Sequence, residues 1–455
     1  MSNSNNLIEL NWSAFLIIIA TIALIRFSVR KLLPITLLSI TTSVTVGFIV
    51  FLGFGVLGYS KTIFLPVDKF SLLIILAYMS FLLGAITVKT LSDKKFPTNT
   101  LLYPSRNTAR IALIFVVFYS IFSFTQFMQE GGIPRAIDMF LGGYAHREYL
   151  IELETLQDQY NGGIGIFLTN IMQNIFLCFW VIGFCKYPRY SIILYGFSIL
   201  PIFTGYASRS YILGQLLVPL LAYYTFFRPS RKVVTTQLAI FTTVVLIFFS
   251  WYSAVRLGMT HDTSIDKLIS DTLRDGGNSV EPATAILTQN WRGNSLEYLI
   301  SLIGFLIPRS LWPDKPLIMY NFEITYLYTG NWPKPGNSIV TSTILGEAWY
   351  YFGVTGTFTL LVVFGAYAQL IEVMLSRTVW TLGIYYSTIY LSFILVRSTF
   401  LTYYQNGISA LVAAGIVTLL CLWNLQQQNQ RIHRTWSKSM QIGSTTCVKS
   451  SILQP

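Results

Sequence analysis

The sequence predicts an all-α, polytopic integral membrane protein, and three observations carry that prediction. Of the 455 residues, 53% are hydrophobic and only 11% charged, with a mean hydropathy of +0.57. The apolar residues come in long runs rather than at amphipathic spacing, and the basic residues gather in the short connections between runs. Such runs are buried in lipid, where each segment must satisfy its own backbone polar groups, as a helix does.

Runs long enough to cross a bilayer lie at 10–25, 37–59, 70–88, 111–127, 164–185, 190–206, 211–227, 234–255, 354–374, 380–398 and 408–424. They predict about eleven transmembrane helices in a single polytopic domain, 1–455, with no internal repeat. Strict alternation then puts Arg26, Arg30 and Lys31, the 89–110 cluster, Lys186 and Arg189, Arg228, Arg231 and Lys232, and the 425–455 tail on one side. By the positive-inside rule that side is the cytoplasm, so the N-terminus is outside and the C-terminus cytoplasmic. The formal charge of +12 is accordingly a topology signal, and no nucleic acid partner is expected.

MSNSNNLIEL carries no basic region and no cleavage site follows the first run, so the first span is expected to be retained. Cys178, Cys185, Cys421 and Cys447 have no metal-ligand spacing and read as small hydrophobes.

Two outer connections are long, 128–163 and 256–353, and both keep aromatic residues, glycine and proline without low-complexity bias. They are expected to fold onto the outer ends of the helices. Within the second, 296–308 is apolar but short for a span, and 338–353 carries Glu347. Each is expected to be a re-entrant or interfacial helix; if both cross, the count becomes thirteen.

The chemistry-bearing residues cluster in these outer segments. In GYASRSYILG (205–214), Arg209 sits at the start of a helix. There free N–H groups, the helix dipole and a guanidinium suit a phosphate or diphosphate. The competing reading is an arginine that snorkels to lipid phosphates. GGYAHREYLIE (142–152) offers His146 and Arg147 behind a glycine pair, with Arg147 as a second diphosphate ligand and His146 open to a solvated reading. Arg256, in WYSAVRLG, is a third.

IPRSLWPDKP (307–316) brackets Arg309, Trp312, Asp314 and Lys315 with prolines. These exclude a spanning helix or strand and hold the polar groups in a rigid loop. Trp312 offers a face for a sugar ring, and the charged groups suit its hydroxyls. Alternatively, Arg309 and Asp314 pair with each other in a structural cap. Downstream, GNSIVTSTILGEAWYYFG places Glu347 within a helix among aromatics, a candidate general base. The alternative is a buried glutamate answered by an arginine, and Arg397 is either that arginine or another anion ligand. The histidines, His146, His261 and His433, have no carboxylate pair at ligand spacing, so neither metal nor cofactor is expected. Nucleotide-binding glycine motifs and a nucleophile elbow are also missing from the sequence. The energy for any reaction would arrive with the substrate.

IPRSLWPDKP, GNSIVTSTILGEAWYYFGVTG and the GYASRSYILG turn together resemble the O-antigen polymerase family, the Wzy-type oligosaccharide repeat-unit polymerases. The likeness lies in roughly 140–360. It implies a glycosyltransferase in surface polysaccharide biosynthesis of the bacterial cell envelope, sited in the inner (plasma) membrane. Such an enzyme joins undecaprenyl-diphosphate-linked repeat units at the outer face, among membrane lipids and with a chain-length regulator protein as partner. Some members pair an arginine with a glycine after ten residues; Arg292 and Gly304 are separated by eleven, so no role is transferred to Arg292.

The expected mechanism has Arg147, Arg209, Arg256 and Arg309 holding the donor diphosphate, with Glu347 as base and Asp314 or His261 as substitutes. An O-antigen ligase or a lipid-linked sugar flippase are the rival readings. The scarcity of ionisable residues within the runs weighs against the flippase.

Overall fold

A computed structural model describes residues 12–33, 39–57, 66–95, 104–141, 164–201, 209–230, 280–305, 311–316, 320–333, 340–376, 378–397 and 399–423, with isolated positions 232, 233, 236, 243 and 307. Among the described residues every regular element is helical. The chain opens with α1 (Trp12–Ser28) and α2 (Ile40–Gly47), which passes through a π-helical stretch, Phe48–Gly53, into α3 (Phe54–Leu57). There follow α4 (Val67–Lys95), α5 (Arg106–Gln129), α6 (Gly132–Leu141), α7 (Ile164–Phe184), α8 (Pro188–Ser198) and α9 (Arg209–Phe227). Three short helices come next, α10 (Val280–Gln289), α11 (Ser295–Gly304) and α12 (Tyr320–Thr329). Then come α13 (Ile344–Leu375), a 3-10 turn (Val379–Thr381), α14 (Leu382–Leu395) and α15 (Phe400–Trp423).

The helix starts follow local chemistry. Ser105 accepts from the Thr108 N–H at 3.1 Å to open α5, and Asn294 accepts from Leu296 and Glu297 to open α11. Pro188, which has no N–H to lose, opens α8.

Helix α5 shows which solvent these helices face. Its residues Ile111, Ile114, Phe118, Ile121 and Phe122 lie on one side and are 56–69% exposed, whereas Ala112, Val116, Ser120 and Ser123 on the opposite side are buried. Large apolar groups outward and small groups inward is the arrangement of a helix whose outer face meets lipid. Among the described residues five helices are long and apolar enough to cross a membrane: Val67–Ser92, Arg106–Gln129, Phe167–Phe184, Ile344–Leu375 and Phe400–Trp423. The chain is a multi-pass membrane protein.

Several helices differ from the predicted spans. Helix α15 begins at Phe400 rather than 408. Helix α13 begins at Ile344 and runs 32 residues, with a break at Gly353 (φ 68°, ψ −163°) that separates the Glu347 stretch from the predicted span. Hydropathy averages over such a break, whereas the backbone pivots there on a conformation only glycine adopts readily. Helix α11, at 10 residues, is about 15 Å long and too short to span. The predicted span at 234–255 lies outside the described residues, apart from positions 236 and 243.

The bundle is built around α4 and α13, which run parallel. Phe81 and Phe364 pack with ring centroids 5.1 Å apart at a tilt of 42°. Gly84 and Gly365 meet so closely that an added Cβ would overlap the carbonyl oxygens of Val362 and Phe81. Small residues let the two backbones touch, and dispersion then holds them. Helices α5 and α7 run antiparallel through Phe115–Phe179 and Tyr119–Phe176. Gly383 of α14 lies against the Leu177 carbonyl of α7, and Tyr386 bonds Thr225 of α9 at 2.7 Å. Helix α15 runs parallel to α13 through Phe364–Phe400 and Tyr367–Tyr404. One end of the bundle thus gathers the starts of α4, α7, α9, α13 and α15.

Candidate functional site

The proline-bracketed loop lies at that end. The Lys315 N–H donates to the Trp312 carbonyl at 3.2 Å, closing a β-turn with Pro313 and Asp314 at its centre. Lys315 is only 7% exposed, and its ammonium donates to the carbonyls of Phe305 at 3.0 Å and Ile307 at 3.2 Å. A cation thereby satisfies the carbonyls left open at the end of α11. The Trp312 ring covers Gly304, where an added Cβ would come within 2.6 Å of it. The turn is rigid in order to close α11. Asp314 stands exposed and makes no hydrogen bond among the described residues.

Phe305 carries this turn onto the bundle. Its ring meets Phe167 of α7 at 5.8 Å and Tyr404 of α15 at 6.1 Å. Directly below, between α7, α9, α14 and α15, is a cavity of about 60 Å³. Its walls carry Asn170, Gln173 and Asn174 from α7, Gln215 from α9, Ser387, Thr388 and Tyr390 from α14, and Asn406 from α15. Among the described residues no charged side chain lines it. Asn170 and Asn406 bridge the two helices, Nδ2 to Oδ1 at 3.0 Å, and Gln215 Oε1 accepts from the Tyr195 hydroxyl at 2.8 Å.

Glu347 is 1% exposed. Its Oε1 accepts from the Tyr298 hydroxyl at 2.9 Å and its Oε2 from the Phe400 N–H at 2.5 Å, and the Leu401 N–H also bonds it. The carboxylate therefore caps α15 and ties α11, α13 and α15 together. The arginine partner weighed from the sequence is not met among the described residues. Tyr298, Tyr320, Tyr350 and Tyr351 pack around it with centroids 4.3–5.9 Å apart. Burial pushes the Tyr298 phenol well above its ordinary value, as does the adjoining Glu347 carboxylate, so it acts as a donor. Tyr350 donates to Glu323 at 3.0 Å, and burial raises the Glu323 carboxyl.

Arg292, to which no role was transferred, has one. Its guanidinium donates to the Trp349 carbonyl, and the Gly293 N–H donates to the Tyr350 carbonyl at 2.9 Å. Together they cap the helical stretch that ends at Gly353.

Of the other predicted residues, Arg397 lies at the start of α15, half-buried and without a side-chain partner among the described residues. Only the backbone of Arg209 is described; it opens α9, one to two turns before the cavity-lining Gly214 and Gln215. Arg147, Arg256, Arg309, His146 and His261 lie outside the described residues. Among the described residues no three His, Cys, Asp or Glu side chains come together as a metal site. The amide-lined cavity was missed from the sequence. Its signal is the polar spacing in TNIMQN (169–174), where Asn170, Gln173 and Asn174 share one face of an otherwise apolar run.

The chain matches no protein-family model, no curated protein and no solved structure.

Proposed function

We propose that the chain is a metal-independent membrane glycosyltransferase, an oligosaccharide repeat-unit polymerase of the O-antigen polymerase type. It would act on undecaprenyl-diphosphate-linked oligosaccharides at the outer face of a bacterial inner membrane. One observation carries the reading: three features meet at a single end of the bundle. They are the proline turn with Trp312 and exposed Asp314, the α15 start with Arg397, which has no side-chain partner among the described residues, and an amide-lined polar cavity just below the α9 start. Guanidiniums at a helix start suit a diphosphate headgroup, and amides beneath it suit sugar hydroxyls.

The reading takes eleven spans with the N-terminus outside. The parallel pairing of α4 with α13 and of α13 with α15, and the antiparallel pairing of α5 with α7 and of α7 with α14, are what that alternation requires.

In the proposed step an acceptor hydroxyl attacks the anomeric carbon of the donor. The new C–O bond forms as the bond to the diphosphate oxygen breaks, and the diphosphate leaves with the electron pair. Arg397 and Arg209, with Arg147, Arg256 and Arg309, stabilise the charge growing on that leaving group. Asp314, exposed and without a partner among the described residues, takes the acceptor proton. Glu347, already receiving donors on both oxygens, serves as a positioning residue at the start of α15. Trp312 orients the sugar, and Lys315 holds the turn by its carbonyl bonds.

The test is chain growth from purified lipid-linked repeat units by reconstituted protein. Loss of one charge-stabilising group costs roughly a hundred- to thousandfold in rate, so Arg397→Ala and Arg209→Ala should leave single repeat units uncapped by a ladder. Near-normal ladders from both variants would remove the proposal. The buried polar cavity also favours a lipid-linked sugar transporter, and substrate flux without glycan lengthening in the same vesicles would establish that reading instead.

A further inference from the structure

The cavity between α7, α9, α14 and α15 has a hydrogen-bonding signature more specific than polarity alone. The amide oxygens of Asn406 and Gln215 already accept bonds, from Asn170 Nδ2 at 3.0 Å and from the Tyr195 hydroxyl at 2.8 Å. Their amide N–H groups are left as donors without a partner among the described residues. Asn170 spends a donor on Asn406, which leaves its own Oδ1 as an acceptor. The walls therefore present donors from two sides and an acceptor from a third, with Leu391 and Ala410 adding apolar surface.

A cation finds two of the amide oxygens, those of Asn406 and Gln215, already engaged, and any ion would lose its hydration with no charged side chain among the described wall residues to replace it. A carbonyl to accept and an N–H to donate, beside a small apolar end, is the matching ligand chemistry. Size agrees. A cavity of about 60 Å³ holds roughly four to six water-sized groups, which is the extent of a methyl, a carbonyl carbon, its oxygen and a nitrogen.

We propose that this cavity is a subsite for the acetamido substituent of an N-acetylated amino sugar. The carbonyl oxygen accepts from Asn406 and Gln215, the N–H donates to Asn170, and the methyl rests on Leu391 and Ala410. The proposal rests on the glycosyl-transfer reading for how a sugar comes to lie there, and it narrows that reading to substrates carrying an N-acetylamino sugar.

The test is saturation-transfer NMR on the purified full chain with N-acetylglucosamine, with glucose as the control sugar. The acetyl methyl protons should receive the strongest saturation, and glucose close to none. Asn406→Asp keeps the size but turns donors into acceptors, and Leu391→Trp fills the space. Each should weaken the sugar about fivefold or more, as expected for a lost hydrogen bond of ordinary strength, with unchanged size-exclusion elution confirming folding. Equal saturation of glucose, or no acetyl signal, overturns the proposal from the wild type alone; an acetyl signal that both folded variants keep overturns it as well. Acetyl binding without chain growth in the polymerisation assay would leave the subsite standing and remove the polymerase reading. Chain growth indifferent to N-acetylation would do the reverse.

Discussion

Glu347 and Glu372 stand on the same helix, α13, and use the same device at opposite ends of it. Each carboxylate accepts from the first N–H groups of another helix: Phe400 of α15 for Glu347, and Ile40 and Thr41 of α2 for Glu372 at 2.8 and 3.4 Å. Their surroundings differ. Glu372 also accepts from Ser39 at 3.2 Å and lies within electrostatic reach of Arg26 and Lys89. Arg26 is itself buried and bonds Leu33 and Thr42, so α1, α2, α4 and α13 are locked by charge as well as by packing. Glu347 has phenols for company, while Arg397 near the same α15 start is uncommitted among the described residues. The end that pairs its cations is a clamp; the end whose Arg397 has no side-chain partner among the described residues is the one the proposed function assigns to an anion.

The largest expected effect follows from Glu347→Ala. Two buried N–H groups and a phenol lose their acceptor, and at about 1–3 kcal/mol for each unsatisfied group the loss is at least about 3 kcal/mol. Thermal unfolding in detergent reads it, and a loss below about 1 kcal/mol would show that the cap is dispensable. Glu372→Ala should cost less, about 2 kcal/mol, because the Ser39 hydroxyl remains beside the α2 start. The break at Gly353 separates the two carboxylates into different helical stretches and they share no hydrogen-bond partner, so the double variant should be additive within about 0.5 kcal/mol. Strong coupling between them would mean that the ends are not independent.

Tyr298→Phe comes next, at about 1.5 kcal/mol for one bond to a charged group, and should leave the Glu372 end untouched by hydrogen exchange. Smallest is a pH effect at Glu323. Burial raises its carboxyl in the folded protein above the ordinary value of 4.5, against the pull of the Tyr350 hydroxyl. A raised folded value means that the stabilising contribution is present below pH 4.5 and is lost as pH rises through the folded value. Glu323→Gln should therefore melt with the wild type at pH 4 and above it at pH 7. A gap that narrows toward neutral pH would reverse the sign.

Much of the frame was legible in the chain. Apolar runs locate α1, α7 and α9 to within about three residues and α4 and α5 to within about two turns, because a helix in lipid must be apolar along its length. Glu347 was legible as a buried helical carboxylate among aromatics, but not its partners, which come from α11 and α15, far along the chain. The Pro-Asp-Lys turn was legible as rigid. That Lys315 spends its charge on the end of α11 was not, since the acceptors are backbone carbonyls and every residue has one. Arg292 illustrates the same limit: its partner is a carbonyl freed by the break at Gly353, and one glycine's φ sets that break.

By itself the sequence determined the class of solvent the protein lives in and the helical answer to it, because hydropathy and backbone satisfaction are properties of each segment alone. Tertiary structure alone decided which carboxylate is paired with a cation and which with phenols. It also decided that amides from separate helices line one polar cavity. Those outcomes depend on which faces of distant helices touch, and side-chain spacing within one helix does not encode its neighbour.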